Sequence, residues 1–198
     1  MRLVDHRLAG AEVQHLPCPK NRRKLLAAEM IVLHYTAGAS ALSSARWLAR
    51  EDVKASAHLV IGRGGEVIQL VAFDTEAWHA GISAYAGRKG LNRYSIGIEL
   101  DNLGRLQVQD GEFLAGCGRV VEPEEVYVDE SVAVPTFWHR YTPVQLDRLR
   151  EVCRLLCAAY PVRHIVGHSD ITDRKQDPGP EIRALLRQHL EKGIIFNR

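Results

Sequence analysis

Met30-Ile31-Val32-Leu33-His34-Tyr35-Thr36 is a short apolar, β-rich run that gives way to polar residues at a histidine. The run from Met30 to His34 reads as a buried strand ending at His34. Working outward, Ser95 to Leu100 alternates Ile96, Ile98 and Leu100 against Ser95, Gly97 and Glu99. That period of two sends Glu99 to the face opposite the isoleucines. Val162 to Val166 reads as a last strand that stops just before His168. His58 to Ile61 and Glu66 to Val71 are two more strands, and Gly62-Arg63-Gly64-Gly65 between them is a hairpin signal. Helices separate these strands. Ala41 to Arg50 has helix-forming composition, with Leu42, Ala45 and Leu48-Ala49 on one side. Thr142-Pro143-Val144-Gln145 is a helix start, with Thr as cap, Pro at the first helical position and Gln three residues after the cap. That helix should run to about Ala159 on a stripe of Leu146, Leu149, Val152-Cys153 and Leu156, and Pro180 opens a final helix to about Leu190. The fold class expected is α/β: a single domain with a central mixed β-sheet flanked by helices.

The 198 residues suit one domain, 1–198, large enough to bury roughly 70% of its unfolded surface. Asn102 to Tyr141 holds two β-like runs, Gly118 to Val121 and Glu125 to Val128, with Pro123-Glu124 between them. It reads as a hairpin-bearing insertion at about 102–141, since some forty residues cannot build an independent core without staples. A net charge of +2 gives no electrostatic case for a nucleic-acid partner, and the basic cluster Lys20 to Lys24 reads as solvated surface. Cys18, Cys117, Cys153 and Cys157 have no metal-ligand spacing; Cys153 and Cys157 should pack as small apolar groups on a helix. No run approaches 18 apolar residues and the first residues lack the apolar core of a secretion signal. A cytoplasmic monomer with no membrane partner is therefore expected, release by cell lysis or a phage holin being the alternative.

The chemistry concentrates in His34 and in Gly167-His168-Ser169-Asp170, followed by Arg174-Lys175-Gln176-Asp177-Pro178-Gly179-Pro180. Two imidazoles and one carboxylate are the ligand set of a zinc ion with an open fourth position, and such an ion generates a nucleophile from water near neutral pH. The pattern points to a hydrolase. Spacing alone leaves the carboxylate open: Asp170 is closest to His168 but awkwardly placed for the same ion, Asp173 competes, and nine residues allow a loop to fold Asp177 back. Asp177 read alone also fits a cap for the final helix.

Several separated blocks resemble the zinc-dependent N-acetylmuramoyl-L-alanine amidases, the superfamily that includes the peptidoglycan recognition proteins. They are Val32 to Thr36, Ser56-Ala57-His58-Leu59-Val60, Gly64 to Gln69, Ala77-Trp78-His79-Ala80-Gly81, Ser95 to Glu99, Tyr141 to Gln145, and Gly167 to Ile171 with Arg174 to Pro180. The stretch Trp78 to Arg88 is most similar to the branch that recycles anhydromuramyl peptides. The resemblance implies His34, His168 and Asp177 as ligands of one Zn2+ per chain, Glu99 as the catalytic glutamate and Lys175 as the catalytic lysine. It implies hydrolysis of the amide joining N-acetylmuramic acid, or its 1,6-anhydro form, to L-alanine, with peptidoglycan or a muropeptide as partner. Lys54 matches a basic position facing the stem-peptide carboxylates, and Trp78 and His79 are candidates to line the substrate cleft. His58 is expected to be a buried structural histidine. Against the family pattern, the loop from His168 to Asp177 is one residue short and a basic position near Gly90 is missing.

Two other classes compete. A peptidoglycan-binding module of the same fold would lack part of the ligand set, which is complete here. A non-haem iron oxygenase would use His168-Ser169-Asp170 plus a downstream histidine, for which only His189, in the final amphipathic helix, is available.

Overall fold

The structure, a computed structural model, describes residues 1–191, with side chains to Gln188. His189 is thus outside the described side chains. Six strands build the sheet that carries the site, in the order His164–Gly167, Met30–Tyr35, Ser95–Leu100, Leu59–Ile61, Val67–Gln69 and Val13–His15. The first four are parallel to one another. Val67–Gln69 returns antiparallel to Leu59–Ile61 through the glycine-rich turn, and Val13–His15 adds a parallel edge. The sheet is mixed, as its sequence indicates.

Parallel strands buried on both faces read as unbroken apolar runs, and the residues from Met30 to Leu33 are all buried. Register then decides which face does what. Ile31 stands beside Ile96 and Leu33 beside Ile98. These side chains form one core with Leu149, Val152, Cys153 and Leu156 of the helix Pro143–Ala159. The alternate residues place His34 beside Glu99 on the other face.

The helix Pro143–Ala159 starts as expected: the Thr142 hydroxyl accepts the Gln145 N–H at 3.1 Å. Gln145 is buried, and its amide donates to Ile61 O at 3.0 Å and Asp101 O at 3.1 Å, which ties the helix to the sheet. The helix Ala41–Ala49 buries Ala41, Ala45 and Leu48, whereas Leu42 faces outward. The final helix spans Pro180–Glu191.

Three features depart from the sequence reading. The N-terminal segment forms a hairpin, Arg2–Val4 with Arg7–Ala9, before the edge strand Val13–His15. Three-residue strands carry no periodicity; here tertiary bonds hold them, as where Leu8 N–H donates to the buried Gln69 Oε1 at 2.7 Å. Lys20 is not solvated surface: its ammonium donates to the carbonyls of Leu48, Arg50, Val53 and Ala55 at 2.7–2.8 Å, closing the C-terminal end of the first long helix. The insertion holds a five-stranded antiparallel sheet, ordered Val120–Val121, Glu112–Ala115, Arg105–Gln109, Thr136–His139 and Val126–Asp129. The two β-like runs read as a hairpin lie at opposite edges of that sheet, each paired to a strand the sequence reading left out. Among the described residues no helix is long and apolar enough to cross a membrane.

Candidate metal centre

His34 projects from the strand Met30–Tyr35, and His168 begins the short helix His168–Ile171 directly after the neighbouring strand. Asp177 lies on the loop before the final helix. Two anchors fix that loop: Ser169 N–H donates to Asp177 O at 2.9 Å, and the buried Tyr141 hydroxyl donates to Pro178 O at 2.8 Å. A third is steric. Gly179 has φ +85°, and a Cβ there would sit 3.1 Å from the Trp138 ring.

These elements bring three donor atoms together. His34 Nδ1 is 3.0 Å from His168 Nδ1, and each of the two nitrogens is 2.9 Å from Asp177 Oδ2. All three residues are buried. Burial alone would raise the Asp177 carboxyl; its contacts with the His168 and His34 rings outweigh it and hold the group well below the usual carboxylate range. Burial pushes the His34 imidazole down, Asp177 opposing. Two imidazoles and a carboxylate aimed at one point are a donor set for a cation, and these three form the group among the described residues that could hold a metal ion.

The competing carboxylates lie outside the triangle. Asp170 accepts the Gly167 N–H at 2.8 Å and pairs with Arg183 at 3.3 Å, so it caps the short helix. Asp173 is exposed.

Glu99 is half-buried beside His34. Burial raises its carboxyl to about 8, Asp177 adding to the shift and Lys175 opposing it. Lys175 is exposed on the loop that carries Asp177, and its charge is felt at both Glu99 and His34. A cavity of about 240 Å3 opens at Glu99, lined in part by Tyr35, Ser43 and Trp47. Trp47 was not singled out in the sequence, where it read as one more residue of an amphipathic helix.

The three residues expected at the substrate separate. Trp78 is exposed, with its backbone N–H donating to Ser56 Oγ at 2.8 Å, and its side chain is not part of the Glu99 cavity wall. Lys54 is exposed in the loop after the first long helix. His79 is buried, not in open cleft: its Nδ1 lies 3.1 Å from His34 Nε2. His58 is the structural histidine expected, accepting the Gly97 N–H at 3.0 Å and donating to Thr75 O at 2.9 Å.

Residues 24–180 match the family model of N-acetylmuramoyl-L-alanine amidase. The chain belongs to this family. The 1,6-anhydro-N-acetylmuramyl-L-alanine amidase AmpD of Salmonella typhimurium is 37% identical over 131 residues, 65% of this chain and 52% of the relative. The chain thus spans about half the length of the curated relatives it matches. A crystal structure of AmpD superposes with a TM-score of 0.63 at 27% identity, covering 94% of this chain and 99% of that one. Escherichia coli AmiD, in complex with the substrate anhydro-N-acetylmuramic acid-L-Ala-D-γ-Glu-L-Lys, superposes with a TM-score of 0.62 at 30% identity, covering 84% and 58%. The mixed α/β sheet is the architecture these amidases share.

Proposed function

We propose that this chain is a zinc-dependent amidase that cleaves the bond between the lactyl carbonyl of N-acetylmuramic acid, or of its 1,6-anhydro form, and the L-alanine of the stem peptide. One observation carries the reading: the triangle of His34 Nδ1, His168 Nδ1 and Asp177 Oδ2, with edges of 2.9–3.0 Å, beside Glu99. Tetrahedral zinc bound at 2.0–2.1 Å keeps its ligand atoms about 3.3 Å apart, so a relaxation of a few tenths of an ångström admits the ion. The donor types fit, and three protein ligands leave the fourth position for chemistry.

When bound, zinc supplies Lewis acidity, making water acidic near neutral pH and polarising an amide carbonyl. The protein's part follows from its residues. Glu99 takes the proton of the attacking water and returns it to the departing amine of L-alanine. Beside a bound cation the Glu99 carboxylate stays ionised for the first step, and the carboxyl so formed supplies the proton for the second. Lys175 sets an ammonium against the oxyanion that develops on the carbonyl, a contribution of roughly 3 kcal/mol for one well-placed donor. His34, His168 and Asp177 hold the ion and make no proton transfer.

The substrate class is supported by the relatives named above and by the walls of the site. An indole beside Glu99 suits a pyranose ring, which makes Trp47 a better candidate for sugar contact than Trp78. Lys89 and Arg174 line a second cavity of about 610 Å3 and suit the acidic stem peptide. Residues 1–198 are taken as one amidase domain, with the accessory sheet as an elaboration near its cleft. Peptidoglycan or a muropeptide as partner, and turnover in the cytosol by a monomer, complete the reading.

The test is direct. Purified protein should carry about one zinc and release L-alanyl peptides from anhydromuropeptide or from intact wall, the two assayed side by side. His34→Ala and Asp177→Ala should lose both metal and turnover. Unchanged metal content in both variants would remove the site as drawn.

A further inference from the structure

We propose that His79 is a positioning residue that fixes the tautomer of His34, so that Nδ1 of His34 is the atom presented to the metal. The proposal rests on the zinc reading above and adds the groups that orient its first ligand.

The hydrogen bonds leading away from the metal centre run in one direction. The Ser95 hydroxyl lies 2.7 Å from Leu91 O, a backbone acceptor, so its single hydrogen is committed there. His79 Nε2 lies 3.2 Å from the same hydroxyl oxygen and 3.4 Å from Ser95 O. Both of these atoms accept, so the ring proton of a neutral His79 sits on Nε2 and its Nδ1 carries a lone pair. That lone pair faces His34 Nε2 at 3.1 Å. His34 Nε2 must then carry the proton and donate. Its Nδ1 keeps the lone pair that points at His168 and Asp177. A metal-binding imidazole needs this arrangement, one nitrogen for the ion and the other held by an acceptor.

Packing holds the relay in place. His79 is 8% exposed, and its backbone N–H donates to Asn92 Oδ1 at 3.0 Å. Its ring lies over Gly97, where an added Cβ would come within 2.3 Å of His79 Cγ. Gly97 sits on the strand next to His34, between Ser95 and Glu99. The missing side chain is therefore the space that the positioning ring occupies.

Two variants and one spectrum test this. His79→Phe fills the same volume without an acceptor; His79→Asn keeps an acceptor near the Nδ1 position. Zinc affinity, read by competition with a chromophoric chelator, should weaken about 10–100-fold in His79→Phe, the range for loss of an outer partner of a ligating histidine. His79→Asn should recover most of that loss. Long-range 1H–15N spectra of zinc-loaded wild type should show His34 protonated on Nε2 and metal-bound through Nδ1, a result independent of how the variants fold. Zinc held as tightly by His79→Phe as by wild type, or His34 bound through Nε2, overturns the proposal. A wild-type protein that takes up no zinc would instead overturn the metal reading beneath it.

Discussion

Glu99 stands directly beside His34 across the parallel pairing of the strands Ser95–Leu100 and Met30–Tyr35, so one register places the proposed proton-transfer group and a proposed metal ligand on the same face. Glu99→Gln preserves the shape of that face and removes the proton acceptor. Zinc content should be unchanged, and kcat should fall by about 10²–10⁴. Muropeptide hydrolysis alongside metal analysis checks this; full turnover by the variant would assign the base elsewhere.

Lys175 is exposed, and its charge opposes the upward shift of the Glu99 carboxyl. Lys175→Met should leave the fold and the metal in place while lowering kcat by about 10²–10³, the range for one oxyanion donor. Because the interaction belongs to the transition state, KM should change little. A variant affected in KM alone would make Lys175 a binding residue.

The four carbonyls around the Lys20 ammonium make this residue structural. Lys20→Met leaves those acceptors to water or to no partner, at a cost of about 1–3 kcal/mol. Urea denaturation should show a lower midpoint with an unchanged slope, and zinc affinity should be preserved. No shift in midpoint would return Lys20 to the solvated surface.

His58 gives the protein an acid-side limit. Burial lowers its imidazole to about 4 from an ordinary 6.5, partly opposed by the bond to Thr75. Between those values the unfolded chain binds the proton and the folded one does not, so stability rises with pH through this window. The stabilisation is complete above pH 6.5 and is lost as pH falls toward 4, in total about 3 kcal/mol. Urea midpoints of wild type and His58→Gln at about pH 7 and about pH 4.5 separate this contribution from those of Glu99 and His139, which also titrate in this range. A midpoint difference between the two proteins that does not change with pH would be incompatible with a neutral buried His58.

The parts of the fold legible in the sequence were those with strong periodicity or punctuation. Met30 to Leu33 is apolar throughout because both of its faces are covered, and Thr142-Pro143 marks a helix start by its own chemistry. The accessory sheet is only partly legible because each β-like run pairs with a strand of weaker pattern, Val120–Val121 with Glu112–Ala115 and Val126–Asp129 with Thr136–His139. The two hairpins are joined by the long-range pairing of Arg105–Gln109 with Thr136–His139. At the site, closeness in sequence favoured Asp170, and only the folded loop shows that its carboxylate is engaged by Gly167 N–H. His79 stood out in sequence as a polar residue beside a tryptophan, which fits a cleft wall as well as a buried partner. Its role shows only through Ser95 and Gly97, residues whose small side chains carry no signal of their own.

Trp138 belongs to the accessory sheet, yet its ring covers Gly179 and stands 6.5 Å, centroid to centroid, from that of Tyr35. The segment that looks most dispensable is therefore a wall against which the carboxylate arm of the centre is braced. Trimming it, or exchanging it between relatives, would remove the ring that packs against Gly179 on the loop carrying Asp177.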